Sequence, residues 1–132
     1  MIDGLRGAPN WRLGGWQGYQ GVDFVAVVDL GSSKPIQKLA AGFVQDIRSW
    51  IWMPTEVRFY LSDDGNNFTL IAKKSNPIAD NDYEIQTIDL ESKVNTRGRF
   101  VKVEASNYGT IPYWHLGAGG NAYIFIDEIV IE

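Results

Sequence analysis

Thr55-Glu-Val-Arg-Phe-Tyr-Leu-Ser-Asp-Asp-Gly-Asn-Asn-Phe-Thr-Leu-Ile-Ala-Lys73 decides the fold class. Val57, Phe59 and Leu61 alternate with Arg58 and Tyr60, the period of two that puts apolar side chains on one face of a strand. Ser62-Asp-Asp-Gly-Asn-Asn67 is a turn, because Asp-Gly supplies the positive φ of a tight hairpin. Phe68 to Lys73 then returns as the partner strand. Working outward, the same grammar recurs. Val22 to Leu30 is a β-branched-rich run that ends at the loop cluster Gly31-Ser-Ser-Lys-Pro35. Ile36 to Ile47 reads as a longer strand, with Gly42 marking a bulge or a close backbone approach. Tyr83 to Leu90, Arg99 to Ala105 and Tyr123 to Ile131 complete the set. Helical spacing with a cap and a stop is absent. About eight short strands separated by turns predict an all-β antiparallel sandwich or barrel, one domain over residues 1–132.

Composition narrows the function. The 132 residues are 45% hydrophobic, enough for one core. The absence of cysteine removes disulfides, thiolate metal sites and thiol nucleophiles. A net charge of −4 argues against nucleic acid, which needs a basic footprint, and against docking on an anionic membrane. With one histidine, His115, zinc has no plausible ligand set. No nucleophile elbow exists. Asp63-Asp64 belongs to the hairpin, and Asp127-Glu128 should point to opposite faces of a strand, so no carboxylate pair flanks a bond to be cleaved. The chain is therefore expected not to be an enzyme. Met1-Ile-Asp-Gly enters directly into turn-like sequence without a leader, which reads as a fragment of a longer chain.

What stands out is aromatic. Trp11 and Trp16 lie in a glycine-rich run, Trp50 and Trp52 precede Met53-Pro54, and Trp114 sits in Pro112-Tyr-Trp-His-Leu-Gly117. Trp16, Tyr19, Trp50, Trp52, Tyr113 and Trp114 occupy three segments that folding could gather at one end. Flat rings meet the C–H face of a sugar, and Arg12, Gln17, Arg48, His115 and Asn121 are suitable readers of its hydroxyls. Against this stands a structural reading, in which Trp11 and Trp52 plug the sandwich and His115 bonds a loop carbonyl. Asp3 and Glu128 could also share a hard cation if the chain ends meet, or could be ordinary solvated acids.

With these residues placed, the chain resembles the discoidin superfamily, the coagulation factor V/VIII type C domains. The resemblance rests on Asp3-Gly4 with Trp16-Gln-Gly-Tyr19, Val27-Val-Asp-Leu-Gly31, the hairpin Val57 to Phe68, Arg99-Phe-Val-Lys-Val103 and Phe125-Ile-Asp-Glu-Ile129. More narrowly, Asp3-Gly-Leu-Arg-Gly7 and Pro112 to Gly119 look like the domain appended to bacterial family-twenty β-N-acetylhexosaminidases (chitobiases). The resemblance implies a jelly-roll that binds hexosamine- or galactose-containing glycan without catalysis, in the periplasm or outside the cell. It also implies a structural calcium held by Asp3, Glu128 and carbonyls around Arg6 and Ala8, where Ala8 lacks the hydroxyl that many relatives offer. Sugar contacts vary in the superfamily. By chemistry, the expected set is Trp16, Tyr19, Arg48, Trp114, His115 and Asn121. The alternative is a structural domain that docks on its parent catalytic domain; insertion into a membrane is the least favoured by charge.

Overall fold

The computed structural model describes residues 17–132. Its strands are β1 (Gln17–Gln20), β2 (Phe24–Gln45), β3 (Glu56–Ser62), β4 (Thr69–Ser75), β5 (Gln86–Ala105) and β6 (Tyr123–Ile131), with one 3-10 turn, Ile47–Ser49. They pair antiparallel in the order β1-β6-β2-β5-β3-β4. The hairpin expected between Thr55 and Lys73 is β3–β4. Its Asp64 carboxylate accepts the backbone N–H groups of Asn66 and Asn67, and Gly65 has φ of 77°.

Six strands stand where about eight were expected: of the seven stretches named above, two pairs join into single long strands, and β1 is added. Val22–Leu30 and Ile36–Ile47 fall largely within the halves of β2 (Phe24–Gln45), and Tyr83–Leu90 and Arg99–Ala105 largely within those of β5. The Gly31-to-Pro35 cluster bends the strand without ending it. Gly31 takes φ of 86°, and register shifts between Asp29 and Lys34 and between Ile36 and Lys38 absorb the bend while the ladder to β5 continues. The Asp29 carboxylate accepts hydrogen bonds from the Gly31 N–H (2.8 Å) and from Nε and Nη2 of Arg99 (2.8 and 3.0 Å). These bonds, that of Arg99 above all, hold the Asp29 carboxyl down to about 2.

The bend makes the sandwich. Residues 24–29 pair with 100–105, which β3 also flanks; residues 34–45 pair with 86–98, and β6 joins them at 39–43. Side chains from both halves share one buried cluster, in which Phe24, Phe59, Val101 and Val103 meet Leu39, Phe43, Leu90 and Ile126. The sheet is thus doubled over on itself, one leaf carrying β1 and β6, the other β3 and β4. The connections 21–23, 46–55, 76–85 and 106–122 leave from one end, here the loop end. The β2 and β5 bends and the β3–β4 turn lie at the other, the bend end.

One irregularity corrects the strand arithmetic for the acids. Ile126 and Ile129 both enter the core, although an odd spacing should send them to opposite faces. Between them the register slips: Phe43 is opposite Ile126 and Ala41 opposite Ile129, so Asp127 and Glu128 together face Gly42 alone. This is the bulge that Gly42 suggested, and at it both Asp127 and Glu128 are buried.

Candidate functional site

At the loop end a second, smaller core of Ile47, Trp52, Ile111 and Ala122 lies under the loops, with Trp50 and Tyr108 packed on it. Trp52, at 1% exposure, is its keystone, as its neighbour Ile51 led one to expect. The Trp52 indole N–H donates to the Asp80 carbonyl (2.8 Å), and its ring stacks on Tyr108 at 5.0 Å and 17°. The Tyr108 hydroxyl donates to the Asp80 carboxylate (2.7 Å). Burial first, then the Asp80 carboxylate, pushes the Tyr108 phenol up to about 12. Buried Gln45 donates to the Ala79 carbonyl (2.9 Å) and accepts from the Met53 N–H (3.3 Å). Three loops are therefore tied by groups whose polar needs are met inside.

On this base stands Trp114, 37% exposed. It meets Trp52 at 6.5 Å, Tyr83 at 6.2 Å and His115 at 6.0 Å, with interplanar angles of 67–70°. None of these rings lies parallel to it. The Arg48 guanidinium covers the Tyr83 ring at 5.5 Å, a cation–π contact at the surface. Tyr113 and Leu116 project from the same loop almost wholly into solvent, at 93% and 107% exposure. The result is a chain of rings, fixed below and open above, with one arginine beside it. It offers flat apolar surface and hydrogen-bond donors, and among the described residues no three acids or histidines gather as a metal site.

The expected site residues divide. Arg48 and Trp114 come together here through Tyr83. His115 adjoins them but is 7% exposed, and both its ring nitrogens are engaged within the fold. The Gly117 N–H donates to Nδ1 (2.8 Å), so the proton sits on Nε2, which donates to the Ile47 carbonyl (2.5 Å). Tyr19 turns inward on β1, half-buried against Phe24 at 5.4 Å. Asn121 is exposed at the same end, where its backbone carbonyl accepts from the Gln20 side chain (3.2 Å) and its strand bridges Thr110. Trp16, with Trp11, Arg12 and the proposed calcium ligands Asp3, Arg6 and Ala8, lies outside the described residues. Glu128 is buried at the β6 bulge.

Tyr83 was missed because it opened an apparent strand, Tyr83–Leu90, whereas β5 starts at Gln86. The signal was present: Asp80-Asn-Asp-Tyr83 is a turn-rich setting for an aromatic, the same signature that singled out the tryptophans.

The sequence model of the F5/8 type C domain matches residues 1–124. The chain belongs to that family. As an F5/8 type C domain it shares its fold with solved domains at low identity. The CBM32-3 domain of a family 31 glycoside hydrolase from Clostridium perfringens is 13% identical, with a TM-score of 0.52 over 88% of this chain and 70% of that one. The CBM32-1 domain of a family 31 glycoside hydrolase from the same organism is 17% identical, with a TM-score of 0.51 over 88% and 75%. A looser match, with a TM-score of 0.47 and 15% identity over 84% and 66%, is the C-terminal domain of a chitobiase from Bacteroides fragilis. No curated protein matches the chain.

Proposed function

We propose that this F5/8 type C domain is a non-catalytic carbohydrate-binding module of an exported glycoside hydrolase, which holds a glycan against the rings of its loop end. The observation that carries this reading is Trp114, half-exposed yet fixed edge-on by Trp52, Tyr83 and His115, with Arg48 within reach of the same surface. A sugar's C–H face lies on such a ring, while guanidinium and phenol groups read its hydroxyls. The fold shared with CBM32 domains of glycoside hydrolases supports it. We assign the ligand to hexosamine- or galactose-containing glycans and the parent to the β-N-acetylhexosaminidases of chitobiase type. Titration with galactose, N-acetylgalactosamine and diacetylchitobiose, followed by tryptophan fluorescence, tests this. The wild type should respond to one of them and the Trp114→Ala variant to none; silence of the wild type across a glycan array would end the proposal.

A calcium ion belongs to the same proposal. Glu128 offers the hard carboxylate that calcium takes, and Asp3 with the carbonyls of Arg6 and Ala8 would complete the set. The ion would fasten the first loop to β6 and take no part in binding sugar. Chelation with EDTA should then lower the melting temperature and leave glycan affinity, once refolded, unchanged.

A second reading has its own observation. Tyr113 and Leu116 are too exposed to be explained by a sugar on Trp114 alone, and they suit burial in a crevice of the parent catalytic domain. Deleting the domain from the full-length enzyme would then lower the enzyme's melting temperature, and Tyr113→Ser with Leu116→Ser in the full-length enzyme would do the same.

A further inference from the structure

The loop 106–122 is closed on itself by its own backbone. The His115 N–H donates to the Pro112 carbonyl (3.1 Å), Ala118 to His115 (3.1 Å), Gly119 to Ile111 (3.1 Å), Gly120 to Gly117 (3.0 Å) and Ile111 to Gly120 (2.9 Å). Such bonds shape the loop but do not orient it on the domain. Ser106, Asn107 and Tyr108 moor the start of the loop to Glu56, Asp23 and Asp80, while its tip, residues 111–120, rests on the 46–52 segment. There Trp50 adopts φ of 68°, a left-handed conformation that is costly for a bulky L-residue. Its indole fits against two glycines so closely that a Cβ on Gly117 would lie 2.5 Å from the ring and one on Gly120 2.8 Å. A side-chain hydrogen bond joins the two loops, from His115 Nε2–H to the Ile47 carbonyl.

We infer that His115 is a positioning residue: by bridging Gly117 of its own loop to Ile47 of the next, it locks the Trp114 ring into its orientation before any ligand arrives. The inference rests on the reading that Trp114 stacks on the sugar. The imidazole sits between the two attachments, accepting at Nδ1 from its own turn and donating at Nε2 across to the other loop, and its ring also abuts Trp52 at 5.2 Å. A loop with its platform already set loses less freedom on binding, which is where preorganisation adds affinity.

The two halves of the bridge can be separated. Asparagine places a carbonyl where Nδ1 accepts and so keeps the turn but drops the tether. Glutamine places an N–H where Nε2 donates and so keeps the tether. Fluorotryptophan-labelled protein, with the Trp114 fluorine line assigned by Trp114→Phe, reports ring orientation without ligand. The wild type should give a single sharp line. His115→Asn should split or broaden it and weaken binding of whichever of the sugars above the wild type takes by about tenfold, the scale of one hydrogen bond. His115→Gln, which keeps the tether but gives up the Nδ1 acceptor, should recover most of the sharp line and of the affinity. An unchanged line and affinity in His115→Asn overturns the inference, as does a His115→Gln protein that folds yet fails as badly. Should the variants not fold, nitrogen NMR of the wild-type imidazole decides, since the Nδ1–H tautomer is incompatible with the bridge. If the wild type binds none of the sugars but the fluorine lines behave as expected, the positioning role stands and the glycan reading falls.

Discussion

The two ends of this sandwich are made rigid by different chemistry. The bend end is held by charge and backbone. Asp29 is clamped by Arg99 and the Gly31 N–H, and Asp64 collects four hydrogen bonds from Ser62, Asn66 and Asn67 that hold its carboxyl well below the usual range. The loop end is held by rings around a private core, with polar groups used singly to pin one loop to the next. Exposed acids and turns suffice to reverse a strand. Presenting an aromatic face takes a second core beneath it, and that is the difference between a connection and a site.

Trp52→Ala puts the greatest stress on this contrast. Removing a buried tryptophan should cost about 3–5 kcal/mol and take the loop end's order with it, read as a lowered urea midpoint together with lost glycan response. If stability falls but binding survives, the second core is not the site's foundation. Trp114→Ala asks the opposite: binding should weaken by about 2 kcal/mol, as for a central aromatic contact, with stability changed by less than about 1 kcal/mol. A glycine at each end gives a matched pair. Gly117→Ala drives a methyl into the Trp50 ring and should cost about 1–3 kcal/mol and disturb binding. Gly31→Ala meets nothing within 4 Å and bears only the strain of φ at 86°, about 1–2 kcal/mol, with affinity untouched. Equal loss of affinity from both would erase the distinction.

The smallest effects are those of pH, and they have opposite signs. Asp29 is depressed from 3.8 to about 2, so its stabilising contribution is present above 3.8 and lost as pH falls through about 2. Tyr108 is raised from 10.0 to about 12, so its contribution is complete below 10 and lost as pH rises through about 12. Acid should therefore reach the bend end and alkali the loop end. Thermal denaturation of Asp29→Asn and Tyr108→Phe checks this: the first should flatten only the acid limb, the second only the alkaline one.

The hairpin from Thr55 to Lys73 was legible because period-two alternation and Asp-Gly are local signals. The continuity of β2 was not, since Gly31-to-Pro35 has loop chemistry and only pairing with distant residues 97–100 makes it a bend within a strand. Glu128 shows the same limit, because the bulge that buries it beside Asp127 depends on a partner strand 80 residues and more away in sequence. In the site, Trp114 and Arg48 were readable as an aromatic and a cation in loops. Tyr83 was hidden by strand-like neighbours, and nothing local could reveal that His115 has both nitrogens occupied by groups from two loops.

The long strands carry a last consequence. Because β2 and β5 each run through both leaves, neither leaf can detach while the other keeps its ladder. Amides near residues 28 and 101 in one leaf and near 43 and 88 in the other should exchange with deuterium at one common, slowest rate. The domain would then open as a single cooperative unit, with no half-folded intermediate to offer a protease.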